Sequence, residues 1–176
     1  NSDAPWPLPI PKARSAQGSA LWNRPPHAMK FSAGQGKTDF VIIVMHMKAD
    51  YNGDFAGHRA EEAAALVAAL PAVRKQFSDE DLVLIGDTNC TGRAEPAIAA
   101  LESAKFVDLN SAHIPTHWQG GTMDRVLAPA EQPEFTPREF TVYSDAFLKA
   151  RALSPRDYKR AYSDHYLIST TIRILP

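Results

Sequence analysis

Cysteine is almost missing from this chain. Cys90 is the only one in 176 residues, which excludes an intrachain disulfide and a zinc cluster built on cysteine. Long apolar runs are missing too. The longest, Phe40 to Met45, is strand-sized and far below the ~18 residues of a membrane span. Net charge is close to nil, at -1 with a pI near 6.7. Nothing global therefore attracts nucleic acid, and a polyanion would have to be held by a local basic patch or a metal. There is no internal repeat and no low-complexity tract. The polar, proline-rich start, Asn1 to Arg14, carries no signal-peptide core.

What is present reads as one globular domain. At 44% hydrophobic and 22% charged, the composition is not that of a disordered chain. A domain of this length buries roughly 70% of its unfolded surface, so a real core is expected.

Pro5, Pro7, Pro9 and Pro11 alternate with Trp6, Leu8 and Ile10. Such spacing disfavours helix and central strand, so residues 1–20 read as an extended arm. After Arg24-Pro25-Pro26, His27–Ala33 and Asp39–Met47 read as a strand hairpin turned at Gly34-Gln35-Gly36. Residues 58–70 carry a stripe of Ala60, Ala64, Leu66, Val67 and Leu70 that fits a helix stopped at Pro71. Asp81–Gly86 is a further strand, and Pro96–Ser103 a short helix with proline in its first turn. Phe106–Leu109, Met123–Leu127, Phe140–Tyr143 and Tyr166–Ile174 read as more short strands. The class is α/β or α+β with a mixed sheet.

Two motifs gather polar side chains at strand ends. Gly86-Asp87-Thr88-Asn89 closes the apolar run Leu82-Val83-Leu84-Ile85, and Ser163-Asp164-His165-Tyr166 precedes an alternating strand. Asp87 and Asn89 lie two apart, so their side chains point to the same side, and ligands commonly bind at such strand ends. Carboxylate and carboxamide oxygens suit a hard cation such as Mg²⁺, and an imidazole beside them suits proton transfer or phosphate binding. The plain alternatives are an Asx turn at Asp87 and a surface turn at Asp164 and His165. Asp124, between Met123 and the apolar Val126-Leu127, needs a partner at a buried edge. An imidazole would serve, and so would Arg125. His46 interrupts the run Val41 to Met45 near the strand's exit, as a core histidine or a functional one.

Met45-His46-Met47-Lys48, Gly86-Asp87-Thr88-Asn89, Met123-Asp124-Arg125-Val126 and Ser163-Asp164-His165-Tyr166 follow one another as in the endonuclease/exonuclease/phosphatase superfamily. From about residue 21 onward the chain resembles that superfamily, which includes deoxyribonuclease I. Arg24-Pro25-Pro26 also resembles the stretch that opens the second half of such proteins. The resemblance implies a four-layer α/β/β/α sandwich and a phosphoesterase dependent on Mg²⁺, with Mn²⁺ or Ca²⁺ as alternatives. It implies that Asp87 orients or deprotonates the attacking water while Asn89 positions it and the phosphate. His165, held by Asp124, would contact phosphate oxygens or act as base. Asp164 would lie with Asp87 at the metal, and His46 would stabilise the phosphate or the leaving group. Arg24, His117 and Trp118 would border the substrate. In-line attack on a phosphodiester needs this charge neutralisation and an aligned water.

The departures are informative. Thr88 stands where a bulky apolar residue is usual, and Arg125 where a histidine or aromatic is common. The family's first half carries an asparagine and a metal-binding glutamate, and nothing before Arg24 matches either. Residues 21–176 therefore resemble the C-terminal half of the domain. Half a sandwich would leave one apolar sheet face in water. The missing half is thus an expected partner, as a separate chain, a cleaved fragment or an unseen segment, with a self-dimer as the alternative. The substrate is expected to be nucleic acid, making the chain a nuclease. An inositol-phosphate or lipid-headgroup phosphatase is the alternative, and an inactive binding module a third. Arg151, Arg156, Lys159 and Arg160 would form a phosphate-binding rim or an ordinary solvated loop.

Two further patterns imitate sites. Gly34-Gln35-Gly36-Lys37-Thr38 resembles the end of a phosphate loop, but position 31 is Phe31 and a strand follows it. Asp50-Tyr51-Asn52-Gly53-Asp54 with Glu61 has calcium-loop spacing, but Phe55 replaces the turn glycine. Both read as loops, as do His113 and His117, which Pro115 separates.

Overall fold

Alternation along the second strand of the hairpin, and a continuous apolar run in the strand that follows, build the core. Val41, Ile43, Met45 and Met47 bury one side chain in two, alongside Leu82 and Leu84, as period-two geometry requires. The computed structural model describes residues 4–10, 14–16, 18–51 and 53–175. Pro11 of the proline series and Asn52 of the acidic loop lie outside the described residues.

The strands are β1 (Trp6–Pro7), β2 (His27–Ser32), β3 (Asp39–His46), β4 (Leu82–Asp87), β5 (Phe106–Asp108) and β6 (Asp124–Pro129). They form a mixed six-stranded sheet in the order β1-β2-β3-β4-β6-β5. Only β3 and β4 are parallel, joined by the crossover helix α1 (Ala56–Phe77), and α2 (Pro96–Ser103) follows β4. Helices α1 and α2 cover one face of the sheet, packing Leu66, Leu70, Val73, Ile98 and Leu101 against Val41, Ile43, Met45, Leu82 and Leu84. The fold is α/β with a mixed sheet, as the sequence implied. No helix among the described residues is long and apolar enough to cross a membrane.

The opposite face is covered only in part. Val83, Val126 and Ala128 pack against Phe135, Phe140, Ile168 and Ile172 from the C-terminal segment. Beyond them Met29, Phe31, Ile42, Val44 and Ile85 line an open apolar trough, where Val44 is 55% exposed.

Several sequence expectations need correction. Helix α1 does not stop at Pro71 but runs through it to Phe77. The proline is exposed on the outer side of the helix, while Val73 continues the buried stripe of Leu66, Ala69 and Leu70. Packing outweighs the ~3 kcal/mol that an interior proline costs. The buried stripe also contains Arg59 and Glu62 in place of Ala60 and Ala64. Of the arm expected to be extended over residues 1–20, the described residues 4–10 are extended but not free, while Arg14 bridges back to Ala20. Trp6 pairs with Ala28 and meets Phe77 edge-on, and Leu8 is buried.

The strand expected over Tyr166–Ile174 shrinks to β8 (Ile168–Ser169), paired with β7 (Thr141–Val142). The extended segment then changes partner. Arg173 N–H donates to Glu134 O, and Thr38 N–H to Leu175 O. Where a loop was one alternative, the basic stretch forms α3 (Asp145–Arg151) and α4 (Pro155–Ala161). Ser154 caps α4 by accepting from Asp157 N–H.

Candidate active site

Strand register alone brings three motifs together. In the parallel β3–β4 ladder His46 stands opposite Asp87, and in the antiparallel β4–β6 ladder Asp87 stands opposite Asp124. Gly86 is what lets β4 pass this close. Its φ is +138°, and a Cβ there would lie 2.0 Å from Met45 O. Two carboxylates facing each other across strands repel, so cationic or hydrogen-bonding groups must stand between them.

His165 does so. Its Nδ1 lies 2.8 Å from Asp124 Oδ2, and its Nε2 lies 3.8 Å from Asp87 Oδ2. His46 Nε2 approaches the same Asp87 oxygen at 3.2 Å. The hydrogen bond to Asp124 raises the His165 pKa above its ordinary value, and the Asp87 and Asp164 charges add to the effect against burial. His46 shifts the other way. Burial lowers its pKa, Arg24 and His165 add to this, and Asp87 opposes it. One imidazole is thus biased towards the cation and its neighbour towards the neutral form, a division that suits acid–base work.

Asp87 does form the Asx turn that was the plain alternative, its Oδ1 accepting Asn89 N–H at 2.8 Å. Its Oδ2 still faces the imidazoles, so the turn orients the carboxylate without consuming it. Asn89 adopts φ +51° and donates from Nδ2 to Met47 O at 2.9 Å and to Asp87 Oδ2 at 3.2 Å, tying the ends of β3 and β4 together.

The segment around His117 closes another side. His117 bridges His165, Trp118 N–H donates to Asp164 O, and Tyr166 N–H donates to Thr116 O. Thr116 Oγ1 accepts Asp124 N–H at 2.9 Å. Burial lowers the His117 pKa, and the neighbouring His165 contributes.

His46, Asp87, Asn89, Asp124, Asp164, His165 and His117 all line one cleft of about 670 Å³. Two expected substrate residues do not. Arg24 lies in an adjoining cavity of about 100 Å³ with Lys48 and Glu62, sharing His46 with the cleft. Trp118 is stacked under Lys159, whose Nζ is 4.7 Å from the ring centroid. The two expected metal ligands also separate into different groups. Asp87 sits with Asp124 and His165, and Asp164 with His117 and His165, the ligand atoms of each group lying within 4.8 Å of one another.

Asp124 does not pair with Arg125, although the two are adjacent. Arg125 points into the protein, fully buried, and pairs with Asp108. It also reaches Thr88 Oγ1 at 3.3 Å, Cys90 O at 3.3 Å and Thr122 Oγ1 at 3.2 Å, fastening the loop after Asp87 to β6. Sequence reading missed this anchor and Thr116, neither of which has a local signal. Ser163, which accepts His165 N–H at 3.0 Å, was legible as a turn-forming serine two residues before the histidine. The acidic loop is structural where described. Asp50 is held by Arg59 at 2.6 Å, and Asp54 accepts Ala56 N–H.

No protein-family model and no curated protein matches the sequence. Solved structures do match in fold. The catalytic domain of human Nocturnin with bound sulfate aligns with a TM-score of 0.57 at 21% identity, covering 97% of this chain and 59% of that one. The endonuclease domain of TRAS1, a telomere-specific non-LTR retrotransposon, aligns at 0.56 and 12% identity, covering 92% and 66%. An endonuclease/exonuclease/phosphatase family protein from Bacteroides thetaiotaomicron aligns at 0.56 and 15% identity, covering 100% and 66%. The chain thus spans between 59% and 66% of the length of these proteins. Its fold is that of the endonuclease/exonuclease/phosphatase, or deoxyribonuclease I-like, proteins.

Proposed function

We propose that this chain carries the catalytic side chains of a metal-dependent phosphodiesterase acting on nucleic acid. The observation that carries the reading is His165, set between Asp124 at 2.8 Å and Asp87 at 3.8 Å in an open cleft. The oxygen donors fit a hard cation, because the Asp87 and Asp124 carboxylate atoms lie within 4.8 Å of one another. Asp87 and Asp124 would hold Mg²⁺, or Mn²⁺ or Ca²⁺ in its place, with Asp164 at the rim. The ion would supply charge neutralisation to a phosphate.

The protein's own groups do the rest. Asp87, with Oδ1 fixed by Asn89 N–H, presents Oδ2 to orient and deprotonate a water. His165, protonated and held by Asp124 through Nδ1–H, turns Nε2–H towards phosphate oxygens and stabilises their growing charge. His46 sits on the far side of Asp87, placed to contact the phosphate or the leaving group. Arg24, Trp118 and Lys159, outside the cleft proper, would meet flanking phosphates and bases of a longer substrate. The domain assignment follows the same reading. Residues 21–176 form the C-terminal half of the catalytic domain, and the open trough of Phe31, Ile42 and Val44 receives the remainder, supplied in the same or another chain.

Supercoiled plasmid tests the substrate class. Nicking that requires Mg²⁺ and stops in EDTA supports the nuclease. Phosphate release from a small monoester with plasmid spared moves the assignment to a phosphatase, and neither activity leaves a binding module.

A further inference from the structure

His117 brings a second imidazole to within ligand distance of His165, and the phosphodiesterase chemistry has no use for that pairing. The two rings meet edge-on, their centroids 5.0 Å apart, on segments bridged to each other. The Asp164 carboxylate completes a group whose ligand atoms lie within 4.8 Å of one another. We propose that His117, Asp164 and His165 form a binding site for a borderline-soft divalent ion such as Zn²⁺, and that an ion held there switches the cleft off.

Donor chemistry separates this group from its neighbour. Two imidazoles and one carboxylate match the ligand set of zinc, whereas Mg²⁺ prefers oxygen throughout. Around a tetrahedral ion with bonds of about 2.0–2.1 Å the ligand atoms stand roughly 3.4 Å apart. Separations within 4.8 Å therefore close by small side-chain rotations. His165 is already oriented for it. Its Nδ1 is engaged by Asp124 at 2.8 Å, the carboxylate–imidazole arrangement that stands behind metal-bound histidines, so Nε2 is the free ligand atom. His117 Nδ1 accepts one long hydrogen bond, from Gln119 N–H at 3.3 Å, so changing its tautomer costs little. Asp164 is exposed, and all three side chains line the open cleft, which gives the ion a path in and leaves a ligand position for water.

Switching off follows because His165 belongs to both groups. A zinc ion on Nε2 removes the atom that faces phosphate, and this part of the proposal rests on the phosphodiesterase reading. Ion binding itself does not.

The test is calorimetric titration of the substrate-free full chain with Zn²⁺, repeated with Co²⁺, whose visible absorption reports tetrahedral nitrogen ligation. The expected result is one site that His117→Gln and Asp164→Asn each weaken at least tenfold and Asp87→Asn weakens far less. Circular dichroism confirms that each variant is folded, and the two independent substitutions guard against one misfolding. Zinc affinity untouched by His117→Gln, or lost only in Asp87→Asn, overturns the site. In a separate arm, zinc added at one equivalent should suppress Mg²⁺-dependent plasmid nicking. Full nicking by the zinc-loaded protein overturns the switch, whereas no nicking even in zinc-free Mg²⁺ overturns the phosphodiesterase reading and leaves the ion site standing on its titration.

Discussion

Replacing Arg125 with methionine should be among the most destabilising substitutions in this chain. The guanidinium is wholly buried, paired with Asp108, itself 3% exposed, and it also donates to Thr88, Cys90, Gly92 and Thr122. Methionine fills much the same volume, so the loss is electrostatic rather than a cavity. It leaves the Asp108 carboxylate buried with no cation beside it, a change that costs about 3–5 kcal/mol. Out of a total stability of roughly 5–15 kcal/mol, that brings the domain near its threshold. In a chain of this length it lowers Tm by roughly 6–20 °C, at about 2–4 °C per kcal/mol. Urea unfolding followed by tryptophan fluorescence measures it. Arg125→Met with Asp108→Leu should recover at least ~2 kcal/mol of the summed single losses, because both ends of the pair then disappear together. A single-variant loss under ~1 kcal/mol, or strict additivity, refutes the claim that this pair fastens the loop after Asp87.

Other outcomes follow from the same geometry. Asp124→Asn should lower the His165 titration midpoint seen by NMR, because the Asp124 hydrogen bond is the largest cause of its raised pKa. The wild-type stability from this pair is complete below the ordinary histidine value and fades as pH rises through the raised one, so Asp124→Asn should flatten that window. Burial pushes Glu62 up to about 7, so the folded state binds a proton that the unfolded state has released. Wild-type stability should therefore fall from pH 4.5 to neutrality. Glu62→Gln should raise stability at pH 8 by up to about 3 kcal/mol, and no gain in urea unfolding at that pH contradicts the burial argument. Gly86→Ala should lower stability by at least ~1–3 kcal/mol and abolish any Mg²⁺-dependent activity, since its Cβ would strike Met45 O.

The sheet was legible where one force dominates. The β2–β3 hairpin follows apolar alternation, β4 a continuous apolar run and α2 its first-turn proline, so observed and expected bounds agree within a residue or two. Reading failed where packing overrides local chemistry. Pro71 stays in α1 because its outer face is solvent and Val73 is core. Arg59 and Glu62 are buried because Arg59 finds Asp50 and Glu95, and Lys48 N–H meets Glu62, partners up to thirty-six residues away in sequence. The helix α4 did carry a signal, Ser154-Pro155-Arg156-Asp157, an N-cap followed by proline and an acidic residue, which the run of basic residues obscured. At the site, motif order pointed to the cleft residues, but only strand register puts Asp87 opposite Asp124. No motif reports that Trp118 turns under Lys159 or that Arg24 faces a cavity of its own.

Hydrolysis of bis(p-nitrophenyl) phosphate in Mg²⁺, with wild-type chain beside His165→Ala and Asp87→Asn, tests the chemistry most directly. Slow but Mg²⁺-dependent release of nitrophenolate is expected from the wild type, falling at least ~10²-fold in either variant. Release that ignores EDTA, or that survives both substitutions, contradicts a hydrolytic centre built on this imidazole and carboxylate.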